Sequence, residues 1–306
     1  MNIVATIIEA ALKLSLALTV LAVSLHARPR DITFLGRHRG LLIRSFVSMN
    51  VVMPLAALWM AIVFDLLPPV KLALITLALS PVPPFIPGKA IKAGGHSAYM
   101  ISLLVTMSIL SLLVIPLSMV SIGKLFGLDV HVSPSAIARI VGMGILLPVA
   151  IGVAIGWYAP DLAVRLAKPV SFVAMVLLAV DLVPVLIKAW PAMYSLLDDG
   201  TVLAIVAITI VGLGVGHLFG GPDRQDRVVL ALSSASRHPA VAVAIALSVY
   251  PGEKLVAPAV LVDLIVVALV SVPYLKLLER ARRSRKRSGT GQPPHEHAAT
   301  ALSRRA

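Results

Sequence analysis

The chain has no cysteine. That excludes disulfides, thiolate catalysis and cysteine-ligated metals at once. It is also poor in charge: 13% of its residues are Asp, Glu, Lys or Arg, against 58% hydrophobic and a mean hydropathy of +0.96. No soluble fold of 306 residues could hide that much apolar surface, so the bilayer must act as its solvent. Acidic residues are the scarcer sign, 14 against 27 basic. A net charge of +13 would suit nucleic acid, but the positives stand in short loops and one tail, the positive-inside pattern of a membrane protein. His-Glu-x-x-His, Gly-x-Ser-x-Gly and a phosphate loop are all missing, which removes the familiar machinery of an enzyme.

What is present is a series of apolar runs near ~20 residues long. They mark about nine spans, at 3–25, 42–65, 70–93, 97–121, 134–158, 165–187, 201–220, 226–250 and 255–277. Arg28, Arg30, Arg37, Arg39, Arg224 and the arginines from Arg280 onward fall on one side of that pattern. Lys124, Asp198, Asp199, Glu253 and Lys254 fall on the other. The charge rule therefore puts the C-terminus in the cytoplasm and the N-terminus outside. A secretory signal cleaved after Ala27 is the competing reading of the start; Glu9 and Lys13 interrupt its apolar run and argue against it. The tail, 279–306, reads as a disordered basic cytoplasmic segment, and His295 and His297 in it as solvated side chains.

Two spans are interrupted in matching places. Ser80-Pro81-Val82-Pro83-Pro84-Phe85-Ile86-Pro87-Gly88-Lys89 breaks the third, and Ser233-Ser234-Ala235-Ser236-Arg237-His238-Pro239 breaks the eighth. Each proline removes a backbone donor and keeps the preceding residue out of the helical region. Lipid offers nothing to freed backbone groups, so broken helices survive only around a cavity or inside protein. Paired breaks in the two halves of a chain point to the binding site of a secondary transporter. The candidate substrate-binding residues are therefore Ser80, Pro83, Pro84, Lys89, Ser233, Ser234, Ser236, Arg237 and His238.

Arg237 lies well inside its span, where a charge normally faces a cavity or a partner. Asp181 and Asp263 are the other deep charges; either could pair with Arg237 or take up a coupling proton, as could His238. Glu9 and Lys13, four apart, should pair on one helix face. Gly152-x-x-x-Gly156 and Gly212-x-Gly214-x-Gly216 should let helices approach closely.

At its two breaks the chain resembles the bile acid:sodium symporter family, in particular its bacterial members. The likeness rests on Ser80-Pro81-x-Pro83-Pro84 leading to Lys89-x-x-Lys92-Ala93-Gly94-Gly95, on Arg237-His238-Pro239-Ala240, and on the nine-span layout over about 1–280. It implies an all-α polytopic membrane protein with inverted repeats, two crossing broken helices, and core plus panel domains. The panel would take 1–40 and 130–195, the core 41–129 and 196–278. The family's sodium ligands at the second break are a Glu, a Gln and an Asn; the matching positions here are Ser233, Arg237 and His238. Its Ser-Asn ligands at the first break fall within 83–86, where no side-chain oxygen exists. A hard cation needs several oxygens. The resemblance thus implies a lost sodium site whose charge Arg237 supplies, with Lys89 acting likewise at the first break.

The function expected is secondary active transport of a small organic anion, a carboxylate or bile-acid-like molecule, by alternating access. The alternatives are a proton-coupled or uncoupled exporter or facilitator of the same superfamily, and a non-transporting membrane sensor. No cofactor or metal is expected, and sodium only if a cation site survives the substitutions. The expected partners are the organic anion and the lipid bilayer, with no nucleic acid; a homodimer stays open.

Overall fold

The computed structural model describes residues 3–125, 133–197 and 200–287, with side chains from 10 to 124, 133 to 197 and 200 to 280. These residues form helices and turns, with no strand among them. The chain opens with α1 (Ile3–Ser24), then two single-turn helices, α2 (Pro29–Ile32) and α3 (Phe34–Arg37). α4 (Arg39–Phe46) passes through a π-helical stretch, Val47–Val52, into α5 (Met53–Val63). α6 (Pro68–Leu79) and α7 (Ile86–Lys92) are the halves of the first broken span, and α8 (Ser97–Leu125) follows. α9 (Pro134–Val141) and α10 (Leu147–Tyr158) flank a second π-helical stretch, Gly142–Leu146. After α11 (Pro160–Tyr194) and α12 (Thr201–Phe219) come the halves of the second broken span, α13 (Arg224–Ala235) and α14 (Pro239–Val249). α15 (Val256–Arg287) ends the described chain.

Seven helical segments among the described residues are long and apolar enough to cross a membrane, and Ala10–Ser24 and Pro68–Leu79 are shorter apolar helices. Leu55, Trp59, Ile62, Leu113, Leu117, Val164 and Ile187 stand exposed where a soluble protein would place polar groups. The molecule is a polytopic helical membrane protein.

The first break ends α6 at Leu79, and α7 starts again only at Ile86, with Pro87 in its first turn where a missing amide does no harm. The second is shorter than the sequence suggests. α13 begins at a sound cap, with the Asp223 carboxylate accepting from the Gln225 amide, and meets no proline before Pro239. It therefore runs through Ser233 and Ser234, and only Ser236 to His238 are non-helical. The C-terminal boundary moves too. Residues 279–287 continue α15 instead of opening an unstructured tail, because Leu277 to Arg287 contains no glycine or proline and several strong helix formers. The rest of the tail with His295 and His297, the side chain of Glu9, and Asp198 and Asp199 lie outside the described residues.

α1 packs along α10 and α11, while α12 packs on α13, α15 and α5, and α6 on α5, α14 and α15. Of the two glycine motifs, Gly152, Gly156, Gly212 and Gly216 sit at close helix contacts, while Gly214 faces open space. A Cβ on Gly216 would stand 2.5 Å from Ala231 Cα, and one on Gly152 2.7 Å from Ser24 Cβ, so α12–α13 and α10–α1 touch almost backbone to backbone. The second broken span is the most enclosed of the long spans and α11 the least. One apolar cluster gathers Met49, Val82, Ile86, Tyr99 and Val228 to Leu232; another gathers Met53, Leu74, Ala204, Ala242, Ala246 and Val260. The first holds α7 and α13, the second α6 and α14, so the two breaks mark the border between them.

Candidate functional site

The breaks meet. The backbone amide of His238 donates to the carbonyl of Pro81 at 3.0 Å, which fixes the second break on the first. Arg237, 6% exposed, lies at the same point. One terminal nitrogen of its guanidinium donates to the Ser80 carbonyl at 3.1 Å and the other to the Met49 carbonyl at 2.5 Å.

Proline explains why those two carbonyls are available. A helical carbonyl takes its hydrogen from the amide four residues on, and in a tighter last turn from the one three residues on. For Ser80 those residues are Pro84 and Pro83, which have no N–H. Met49 sits in the π-helical stretch, where the Met53 amide reaches back five residues to Ser48. By the same step, the donor for Met49 would be Pro54, which again has none. Arg237 supplies the hydrogens that three prolines withhold. A buried carbonyl left alone costs about 1–3 kcal/mol, and a hydrogen bond from a charged donor is among the stronger kinds.

The other predicted side chains surround this contact unevenly. Ser80, Ser233, Ser234, Ser236 and His238 are all buried, as are Pro83 and Pro84. Ser234 shares a 2.8 Å hydrogen bond with Ser48 of the π stretch, and the Ser233 hydroxyl reaches the Met100 sulfur at 3.9 Å. Nδ1 of His238 accepts from the Val241 amide at 3.4 Å and caps α14, so the ring hydrogen belongs on Nε2. Lys89 is half-buried in α7, with no hydrogen bond or ion pair to the crossing among the described residues. Neither Asp181 nor Asp263 pairs with Arg237, whose described partners are backbone oxygens. Asp181 is 5% exposed in α11, on the stripe with Ala163, Ala167 and Ala174, and its Oδ2 has no partner among the described residues. Asp263 is half-buried in α15.

Sequence reasoning overlooked Ser48, Met49 and Met100. The available signal was Pro54, a proline inside an apolar run, which pushes the preceding turn to open into a π bulge. Pro148 stands in the same relation to the second π stretch, Gly142–Leu146.

The crossing is closed in this conformation. A cavity of about 560 Å3 lies away from it, between the far legs of the broken spans and α5 and α8. Its wall is mainly apolar, with Lys71, Tyr250 and Glu253 as its polar members, and none of the predicted binding residues lines it.

Two broken helices held together at mid-span by backbone and guanidinium are an architecture for moving a solute. Comparison with known families gives the same direction: residues 13–191 match the sodium bile acid symporter family. The chain belongs to that family. Family membership makes it a membrane transporter and not an enzyme, and at family level implies sodium-coupled carriage of bile acids or other organic anions. The match includes the first break and stops before the second, which carries Ser233, Arg237 and His238. No individual curated protein matches the chain.

Proposed function

We propose that this family member carries a small organic anion, carboxylate-bearing or bile-acid-like, by alternating access, and does so without sodium at its crossing. One observation carries the reading: oxygens of the kind a sodium ion would take are held by the guanidinium of Arg237. A tethered cation cannot dissociate, so it lends the crossing its charge but draws no work from a sodium gradient. Nε of Arg237 has no partner among the described residues, leaving one donor for a substrate carboxylate when the crossing opens to solvent. The serines at 233, 234 and 236 and the Nε2 hydrogen of His238 would complete the binding site.

The packing of α1 along α10 and α11 supports a panel against which a core rocks. The distribution of arginine supports a cytoplasmic C-terminus and an outer N-terminus, and the family resemblance supports a bacterial inner membrane. Proton coupling is the second reading for the driving ion. It is favoured over uncoupled exchange by the buried, unpartnered Oδ2 of Asp181, with His238 and Asp263 as further candidates.

The test is uptake of labelled carboxylates into proteoliposomes, with sodium or potassium outside and with or without an imposed pH gradient. Uptake independent of sodium supports the reading, and acceleration by an inward proton gradient that is lost in Asp181→Asn supports the proton. Strict dependence on sodium would sink the tethered-cation idea. Ligand-induced stabilisation with no uptake would mean a sensor.

A further inference from the structure

At the arginine-rich end of the molecule, Arg44 of α4 and Arg227 of α13 converge on a surface cup of about 490 Å3, completed by Leu218, Phe219, Gly221 and Pro222. Both guanidiniums meet at Gly221. Nε of Arg227 donates to its carbonyl at 2.6 Å, and Nη1 of Arg44 stands 3.0 Å from the place a Cβ would occupy. Neither arginine forms an ion pair among the described residues. The neighbouring carboxylates are already engaged, Asp223 in capping α13 and Asp226 with His96. Two like charges brought to one point without a counter-ion repel, unless an anion sits between them.

The surface below the cup says what carries that anion. Leu218 is 78% exposed, and Ile210 and Leu203 continue the same exposed face of α12 away from the cup. Gly214 lies between them with open space above its Cα, which makes the stripe a shallow groove. An acyl chain lying in that groove would bring its phosphate to the two arginines. We propose that the cup binds the phosphate of an anionic phospholipid, gripped by Arg44 and Arg227, with its chain on the Leu203–Ile210–Leu218 face. Basic pockets between membrane helices hold anionic headgroups in this manner. Such a lipid would tie α4 to the turn between α12 and α13, and the inference does not depend on what the protein carries.

The experiment uses the purified full chain in a neutral detergent at about 150 mM salt, where exposed charges are largely screened. Phosphatidylglycerol, phosphatidylcholine or inorganic phosphate is titrated in, with melting temperature and lipid retained in native mass spectrometry as readouts. Phosphatidylglycerol should stabilise and stay bound, phosphatidylcholine should not, and Arg44→Gln should weaken phosphatidylglycerol about tenfold. The Arg44 side chain makes no hydrogen bond among the described residues, so that variant should keep its structure; Arg44→Lys should restore part of the loss and Arg30→Gln should change nothing. Equal stabilisation by both lipids, or an unaffected Arg44→Gln, overturns the site. Equal stabilisation by inorganic phosphate alone overturns the lipid and leaves a free-anion site.

Discussion

At Arg237 a charge that looks made for a ligand is also doing backbone work. Replacing it with Gln keeps one donor group but cannot span Ser80 and Met49 together, so at least one buried carbonyl loses its partner. The expected loss of stability is about 1–3 kcal/mol, visible as a lower melting temperature, together with loss of carboxylate-induced stabilisation. A variant that melts normally and still responds to carboxylate would show that the guanidinium matters to neither. His96 offers a second residue-scale prediction, away from the membrane interior. Its hydrogen bond to Asp226, with Asp223 and Asp31 adding to the field, raises its pKa against the opposing effect of burial. A raised pKa in the folded state means the contact contributes most below the ordinary histidine range and fades as pH climbs past the raised value. The melting temperature should therefore fall slightly between pH 6 and pH 8, and the slope should flatten in His96→Gln and Asp226→Asn alike. Among the individual residues, the existence of Arg237 and its depth were legible in the sequence, but its partners were not. Backbone carbonyls carry no side-chain signature; of the two roles the sequence left open for the deep aspartates, pairing with Arg237 is not the one seen among the described residues.

Among the elements, the first break was legible because proline acts where it stands: Pro83 and Pro84 forbid a helix whatever surrounds them. The second was only half legible. Serine tolerates a helix when packing favours it, and α13 is enclosed enough to carry Ser233 and Ser234 along. The π stretch before Pro54 could not be placed from the sequence because a proline can also kink or end a helix. Its role is testable. Pro54→Ala restores an amide that can reach the Met49 carbonyl and competes there with Arg237. Stability should hold or rise while transport falls several-fold, the opposite of an ordinary core lesion; parallel loss of both would argue against the competition. Gly216→Ala makes an ordinary lesion for contrast. Its methyl would stand 2.5 Å from Ala231 Cα, and overpacking of this kind costs about 1–3 kcal/mol, read as a drop in melting temperature.

For the whole molecule, the proposed rocking of a panel against a core would move α9 past α14. Ile137 of α9 and Ile245 of α14 share one apolar cluster, together with Val141 and Val241. Cysteines at 137 and 245 would be the only two in the chain, so a short bifunctional thiol reagent can join nothing else. Uptake should stop on cross-linking while each single variant stays active under the same reagent. Continued uptake in the joined protein would exclude motion at this contact.

The crossing also sets an order of events during synthesis. The carbonyls of Met49 and Ser80 are made 188 and 157 residues before the arginine that satisfies them. Until Arg237 leaves the ribosome and enters the membrane, the first half of the chain must wait with both oxygens unserved. The two halves are then fastened only after most of the chain is made, and a nascent chain stopped short of Arg237 lacks both that clasp and the helices α14 and α15 that follow it.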